Sequence, residues 1–598
     1  MLRLCLSQWK IQNSMRKKVK IFINPLIDNY KNNKNKNIRE YGTEKLYNSR
    51  SFIDEKKIFH SPHGDVDLLD GSYLHEIIWR DVDKWWNKTA VICSMTGRSY
   101  TYGQLRRLSG RFATSLRKLN VKPGDTVAIV LPNIPEYPIV SMGASEAGIK
   151  LTLINPSYTA REINMQLENS ETTLVVTVPS KYPVVAQSII GVKSIRLPVV
   201  VIDDLSGPTP SGTIKFNELV ADSVVEFEKT DEKTEIDAAN DTVILPYSSG
   251  TTGLPKGVEL THRNIVSNLA QFSHKSVSVL EQATENYQDV TVFFLPLYHI
   301  YGFAVFYHSL SNGGKIITMP TFTSNDFLKI LEENRLSIIF VAPPVLQLMA
   351  NDERFKKQHM SGLRRMMSAA APAGEEVVAK LRARLGESFL FFQGYGLTEA
   401  SPLITVGIDS PVGSVGKIFP NTKIRIVKKN NEDDDNDDGT GENLSVNEIG
   451  EIQVSGPQVM KGYFKNSQAT SETMDGKWLK TGDLGSIDND GNLTINGRLK
   501  ELIKVKGSQV SPPELEDILH SHDKVADVAV VGVPHERFGE IPKAFVVAKQ
   551  GVQINEDEIK KFVAEKVADY KQLGHVEFID QIPKNQAGKI LRKNLQKM

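Results

Sequence analysis

The chain has 598 residues, a formal charge of +1, and 40% hydrophobic and 24% charged residues. That profile fits a globular protein with length for two or more domains, and the balanced charge offers nothing to a nucleic-acid backbone. Two cysteines, Cys5 and Cys93, exclude a disulfide framework and a cysteine-rich metal site.

Residues 1–55 read as an N-terminal extension, disordered or targeting. The first 27 residues carry Arg3, Lys10, Arg16, Lys17, Lys18 and Lys20 and no acid, which is compatible with a mitochondrial presequence. They lack the serine and arginine richness of a strong one. Regular structure is expected from about residue 70. "TYGQLRRLSGRFATSLRKL" (101–119) sets Leu105, Leu108, Phe112, Leu116 and Leu119 at helical spacing. "DTVAIVLPN" (125–133) is a short buried strand, "SMGASEAGI" (141–149) a helix, and "TLVVTV" (173–178) and "PVVVIDD" (198–204) are strands. This alternation predicts an α/β protein. Its large N-terminal domain, 56–497, would hold layered α/β subdomains with mainly parallel sheets.

The longest apolar stretch, 292–310, contains Pro296, Gly302 and two histidines, so it reads as a buried segment near a pocket and not as a membrane span. "NEDDDNDDGTGEN" (431–443) is a solvated acidic loop between two strand-like pieces. A compact pattern from about 498 to 598 predicts a small C-terminal α+β domain.

The stretch that carries chemistry is "YSSGTTGLPKGVEL" (247–260). Its spacing is not that of the GxxxxGK[ST] phosphate loop, because Pro255 precedes Lys256 and Gly257 follows it. Strands lie on both sides and the next helix begins only near Thr261, so a helix dipole is not available to it. Glycine-freed N–H groups at Gly250 and Gly253, the hydroxyls of Ser248, Ser249, Thr251 and Thr252, and the charge of Lys256 can still wrap an anion.

This loop resembles the signature of the adenylate-forming (AMP-binding) superfamily, and four further stretches resemble that family's motifs in family order, over roughly residues 60–598. "QGYGLTEASP" (393–402) implies Tyr395 and Gly396 at the adenine, Thr398 at the α-phosphate and Glu399 as the Mg²⁺ ligand. "TGDL" (481–484) implies that Asp483 accepts the ribose hydroxyls, assisted by Arg498. "GRLKELIKVKGSQV" (497–510) implies a hinge at Lys500 about which the small domain moves, with Lys506 and Gly507 flanking the CoA tunnel. "PKNQAGKILRKNL" (583–595) implies Lys589 as the catalytic lysine. The motif residues Lys256, Glu399, Asp483, Arg498 and Lys589 are all present, which weighs against a binding protein without turnover.

The implied reaction is ATP-dependent acid–CoA ligation through an acyl-adenylate, with pyrophosphate released and a small carboxylic acid, ATP and CoA as substrates. Nine residues follow Lys589, too few for a carrier-protein domain, so free CoA is the expected acceptor. "LPLYHIYGF" (295–303) most resembles the 4-coumarate–CoA ligase branch, with His299 near the reacting carboxylate. Tyr301, Val305, Gly394, Pro402 and Leu403 would line the acyl pocket, with "VAPPV" (341–345) behind them. Val305, Ala369 and Thr321 depart from the plant pattern toward a more apolar pocket, which keeps a medium- or long-chain fatty acid open as substrate. A luciferase-like oxygenase is a further alternative. The family implies an intracellular, often peroxisomal, location, but Gln596-Lys597-Met598 is not the S-K-L address and a mitochondrial or cytosolic location stays open.

Overall fold

Strand Thr126–Val130, buried at every position, pairs in parallel with Lys150–Leu153 and Thr172–Thr177. These strands form the middle of a nine-stranded sheet in a computed structural model of the chain. The structure describes residues 52–228, 236–248, 255–428, 441–505, 508–535, 538–567, 569–585 and 588–598. Among them are four sheets: two of nine strands, one of six and one of five.

The second nine-stranded sheet positions the site. Its parallel strands Val290–Phe293, Ile338–Val341, Arg365–Ser368 and Leu390–Gly396 end together on one edge. Ligands of open α/β sheets sit outside such carboxyl ends. Helices Ile300–Ser311 and Pro343–Asn351 leave from this edge. The first is buried almost throughout, which is why the 292–310 stretch is apolar without crossing a membrane. No helix among the described residues is long and apolar enough to span a bilayer.

The helical periodicity of 101–119 yields the helix Tyr102–Lys118. Thr101 accepts from the Gln104 N–H, and the Gln104 side chain answers on the Thr101 N–H, which closes both orphan donors. Leu105, Phe112 and Leu116 are fully buried, and each contributes about 1.5–3 kcal/mol by leaving water.

Three expectations shift. Regular structure begins before residue 70: Ile58–His60 is a strand on Lys423–Val427, anchored by the buried Phe59. The helix placed at 141–149 runs instead over Tyr137–Glu146, with Pro138 in its first turn. Strand 198–204 shrinks to Val200–Val201, because only two residues find ladder partners. The acidic run lies almost wholly outside the described residues; its flanking strands Lys423–Val427 and Gly450–Ser455 pair directly.

Near the C-terminus the chain changes sheet. Leu493–Arg498 is an antiparallel partner of Trp478–Ile487, whereas Ile503–Val505 belongs to the five-stranded sheet. That sheet and its helices Pro512–His520 and Glu556–Ala564 bury an apolar core of their own, including Val528, Val530, Val546 and Ile559. The short turn Leu499–Glu501 joins the two sheets.

Candidate active site

The described ends of the 247–260 stretch are strands, as its sequence suggests. Tyr247–Ser248 pairs antiparallel with Lys256–Thr261, and helix His262–Phe272 follows. Ser249, Gly250, Thr251, Thr252 and Gly253 lie outside the described residues. One end of the loop meets a carboxylate, and the other lies against a tyrosine bound to the same carboxylate. Ser248 Oγ donates to Glu399 Oε1 at 2.9 Å, and Tyr463 OH donates to the same oxygen at 2.9 Å. Lys256 Nζ lies 4.9 Å from the centre of the Tyr463 ring. Glu399 is 8% exposed and sits in the turn Thr398–Ala400 beyond strand Leu390–Gly396. It matches the donor set a magnesium ion favours when substrate phosphates supply the remaining oxygens: one protein carboxylate, held by hydroxyls. Among the described residues no group of three or more His, Cys, Asp or Glu offers an all-protein metal cage.

Strand Leu390–Gly396 carries the next residues. A Cβ on Gly396 would lie 1.9 Å from the Pro402 carbonyl, so only glycine lets the two segments approach. Tyr395 OH donates to Asp483 Oδ2 at 2.7 Å, and Arg498 Nε pairs with Asp483 Oδ1 at 2.9 Å. Asp483 is 3% exposed, and its N–H donates to Thr481 Oγ1 at 3.1 Å. Burial, then the Asp483 charge, pushes the Tyr395 phenol well above its ordinary range. Burial works against the Arg498 charge, but Asp483 and Glu501 outweigh it and raise the guanidinium pKa.

His299 caps helix Ile300–Ser311. Its Nδ1 accepts the Tyr301 N–H at 3.2 Å, so the neutral ring carries its proton on Nε2. Burial, then the positive charge of Lys589, lowers the His299 pKa to about 4. Lys589 comes from the far end of the chain on a small hairpin. Asn585 closes it: the Lys589 N–H donates to Asn585 Oδ1 at 2.8 Å, and the Asn585 N–H donates to the Lys589 carbonyl at 2.8 Å. Gly588, at φ +81°, presses on the helix Pro343–Asn351, where a Cβ would meet Pro344 at 2.6 Å. The Lys589 ammonium is lowered by burial and then by Arg498, against the pull of Glu501 and Asp483. The structure therefore places Lys589, His299, Asp483 and Arg498 in one electrostatic neighbourhood.

The acyl-side residues are buried together. Tyr301 OH reaches the carbonyls of Met367 and Val341 at 3.4 and 3.5 Å, long bonds that hold it weakly. A Cβ on Gly394 would meet Met367 Cε at 2.5 Å and Leu403 Cδ2 at 3.6 Å. Val305 lies one turn beyond Tyr301 and is fully buried, and Pro402, Leu403 and Ala369 are buried too. Lys500 is exposed in the turn Leu499–Glu501, and Lys506 and Gly507 lie outside the described residues. Sequence reasoning missed Tyr463, Met367 and Asn585. Each is a common residue type whose role depends on a distant partner.

Residues 78–464, more than half the chain, match the family model described as AMP-binding enzyme. The chain belongs to the AMP-binding enzyme family. Residues 514–589 match the AMP-binding enzyme C-terminal domain as well. Among curated relatives of this AMP-binding enzyme, 4-coumarate–CoA ligase 1 of Arabidopsis thaliana is 37% identical, covering 90% of this chain and 94% of its own. 4-Coumarate–CoA ligase 1 of Petroselinum crispum is also 37% identical, covering 90% and 96%. The solved structure of ATP-bound MatB from Rhodopseudomonas palustris superposes with a TM-score of 0.75 at 26% identity, covering 88% of this chain and 98% of that one. A benzoate CoA ligase from Burkholderia xenovorans LB400, at 24% identity and a TM-score of 0.75, covers 88% and 100% and shares the fold. This AMP-binding enzyme is thus an AMP-forming acid–thiol ligase of the 4-coumarate–CoA ligase-like group.

Proposed function

We propose that this enzyme joins an apolar carboxylic acid to CoA in two steps, with Lys589 serving the first. A carboxylate is a poor acyl donor because its leaving group would be oxide. Its oxygen therefore attacks the α-phosphorus of ATP, the bond from that phosphorus to the β-bridging oxygen breaks, and pyrophosphate departs. The CoA thiolate then attacks the acyl carbon, AMP leaves, and the thioester remains. No enzyme nucleophile is needed in either step.

The observation that carries this reading is the Lys589 hairpin packed on helix Pro343–Asn351, where the lysine's charge is felt by His299 and by the Arg498–Asp483 pair. The lysine charge is suited to bridge the substrate carboxylate and the α-phosphate, where negative charge gathers in the transition state. His299, neutral above about pH 4, offers its Nε2 proton as a fixed hydrogen bond and not as a general acid. Asp483 is suited to take the ribose hydroxyls, and Tyr395 to pack on the adenine. The 249–254 loop and Lys256 hold the leaving pyrophosphate in this reading. Glu399 would hold Mg²⁺, which supplies positive charge to the phosphate oxygens. Lys506 and Gly507 take the pantetheine arm after the small domain turns about Lys500.

Two substrate classes fit the buried lining of Tyr301, Val305, Met367 and Leu403. The curated relatives' names favour a hydroxycinnamate; the apolar Val305 favours a medium- or long-chain fatty acid. The location that suits ATP and CoA as substrates is intracellular. Incubation with ATP, Mg²⁺ and a panel of both classes, without CoA, should accumulate an acyl-adenylate visible by mass spectrometry. Adding CoA should convert it to thioester. Absence of acyl-adenylate with every acid, from folded protein that binds ATP, would overturn the proposal; conversion by oxygen and not by CoA would favour the luciferase-like alternative.

A further inference from the structure

Arg592 lies three residues beyond Lys589, at the start of the last short helix, Arg592–Leu595. Its side chain is 13% exposed and reaches three separate elements. Nε contacts Glu501 Oε2 at 2.8 Å, in the turn that joins the two sheets. Nη2 contacts Glu516 Oε2 at 3.0 Å, on helix Pro512–His520. Nη1 donates to the Val530 carbonyl at 3.2 Å, in strand Val525–His535. The planar guanidinium presents its donors in a fixed fork, so these partners fix the side chain's position and not only its charge.

Glu516 and the Val530 carbonyl already bind Arg592 into the C-terminal core. The arm to Glu501 leaves that core for the hinge, one residue past Lys500. The Lys589 hairpin hangs from the same place. Its base is the antiparallel bridge of Lys584 with Ile590, and Lys584 Nζ is tied to Asp527 Oδ2 at 2.6 Å. Asp483 pairs with Arg498, Glu501 and Glu516 both pair with Arg592, and the Arg498 charge acts on Glu501 within the hinge turn. Burial raises the Glu501 pKa, but Arg592, Arg498 and Lys589 outweigh it and keep the carboxyl ionised.

We propose that Arg592 is a positioning residue for acyl-adenylate formation: through Glu501 it locks the hinge turn to the Lys589 hairpin and so holds Lys589 at the nucleotide. This rests on the reading of Lys589 as the adenylation lysine. Thioester formation does not use Lys589 in that reading, so the clasp affects the first half-reaction selectively.

Glu501→Gln is the discriminating variant, because it cuts the hinge arm and leaves Arg592 on Glu516 and the Val530 carbonyl. Single-turnover acyl-adenylate formation should fall roughly tenfold, since small displacements of a reacting group cost this much or more. Thioester formation from supplied coumaroyl- or decanoyl-adenylate, whichever acid the enzyme accepts, should stay within about twofold, because misplacing Lys589 leaves that step's reacting groups where they were. The melting temperature should move by less than about 3 °C, the scale of a 1 kcal/mol change in a large domain. Arg592→Lys keeps the charge and loses the fork, so it should restore part of what Arg592→Ala loses. Arg592→Ala with Glu501→Gln should adenylate no more slowly than Arg592→Ala alone, because both cut one link. Adenylation by Glu501→Gln within about twofold of the parent, or equal losses in both half-reactions, would overturn the positioning role. Lys589→Ala run beside them separates the two claims: unimpaired adenylation there would remove the Lys589 reading itself.

Discussion

In the proposed reading Asp483 serves two purposes with one carboxylate. Its oxygens are already taken by the Tyr395 hydroxyl at 2.7 Å and Arg498 Nε at 2.9 Å. A carboxylate has about four lone-pair sites, so acceptors remain for two ribose hydroxyls. Asp483→Asn removes the charge and turns one acceptor into a donor. The parent should favour ATP over 2′-deoxy-ATP by about tenfold in kcat/KM, the worth of one hydrogen bond to a charged group. The variant should lose most of that preference, and its KM for ATP should rise. Comparing the two nucleotides in pyrophosphate release checks this; a preference that survives the substitution would put the ribose elsewhere.

Secondary-structure elements place these residues, and glycines mark where the fit is tight. In "LPLYHIYGF" a Cβ on Gly302 would stand 2.2 Å from the Pro296 carbonyl, backbone against backbone. Gly302→Ala must therefore shift the first turn of helix Ile300–Ser311, whose cap is His299. It should lower adenylation by about a hundredfold. Gly394→Ala clashes only with the flexible end of Met367, so it should fold and adenylate, with selectivity moved toward slimmer acids. Rates over an acid panel check both; equal losses would show that Gly394 is not at the acyl group. The strands on either side of the 249–254 loop and the helix at 101–119 were legible in the sequence, because strand-forming apolar runs and helical spacing are local signals. Strand Ile58–His60 was not: three residues and one buried phenylalanine leave no period to read. The ties from Tyr463 to Glu399 and from Arg592 to Glu501 join residues 64 and 91 positions apart, and no local pattern announces them. Asp483, Arg498 and Lys589 were found through family motifs, and only the fold brings them to one place.

Across the whole molecule, stability and chemistry draw on the same burial. Burial lowers the pKa of His63 and His299 to about 4 and of His262 and His308 to about 3. Unfolded imidazoles bind protons near pH 6.5, so between about pH 6.5 and 4 the unfolded chain holds more protons and stability falls with pH. Glu146 opposes this: burial, against Arg106, raises it to about 7, so its contribution is present in acid and lost as pH rises from 4.5 to 7. Each histidine contributes at most about 1.4 kcal/mol per pH unit in its window, so the four outweigh Glu146, the carboxyl raised furthest into that window. Denaturant melts should show stability dropping from pH 6.5 toward 4.5, and a flat profile would contradict the buried neutral histidines. The same scale holds the central claim, that a hairpin near the C-terminus completes a site built mostly from the rest of the chain. Lys589→Ala in single-turnover acyl-adenylate formation tests it most directly. The expected result is a rate lower by about 10²–10³, as when one oriented charge is removed from a transition state, with ATP affinity within about threefold of the parent. An unchanged rate would contradict the account.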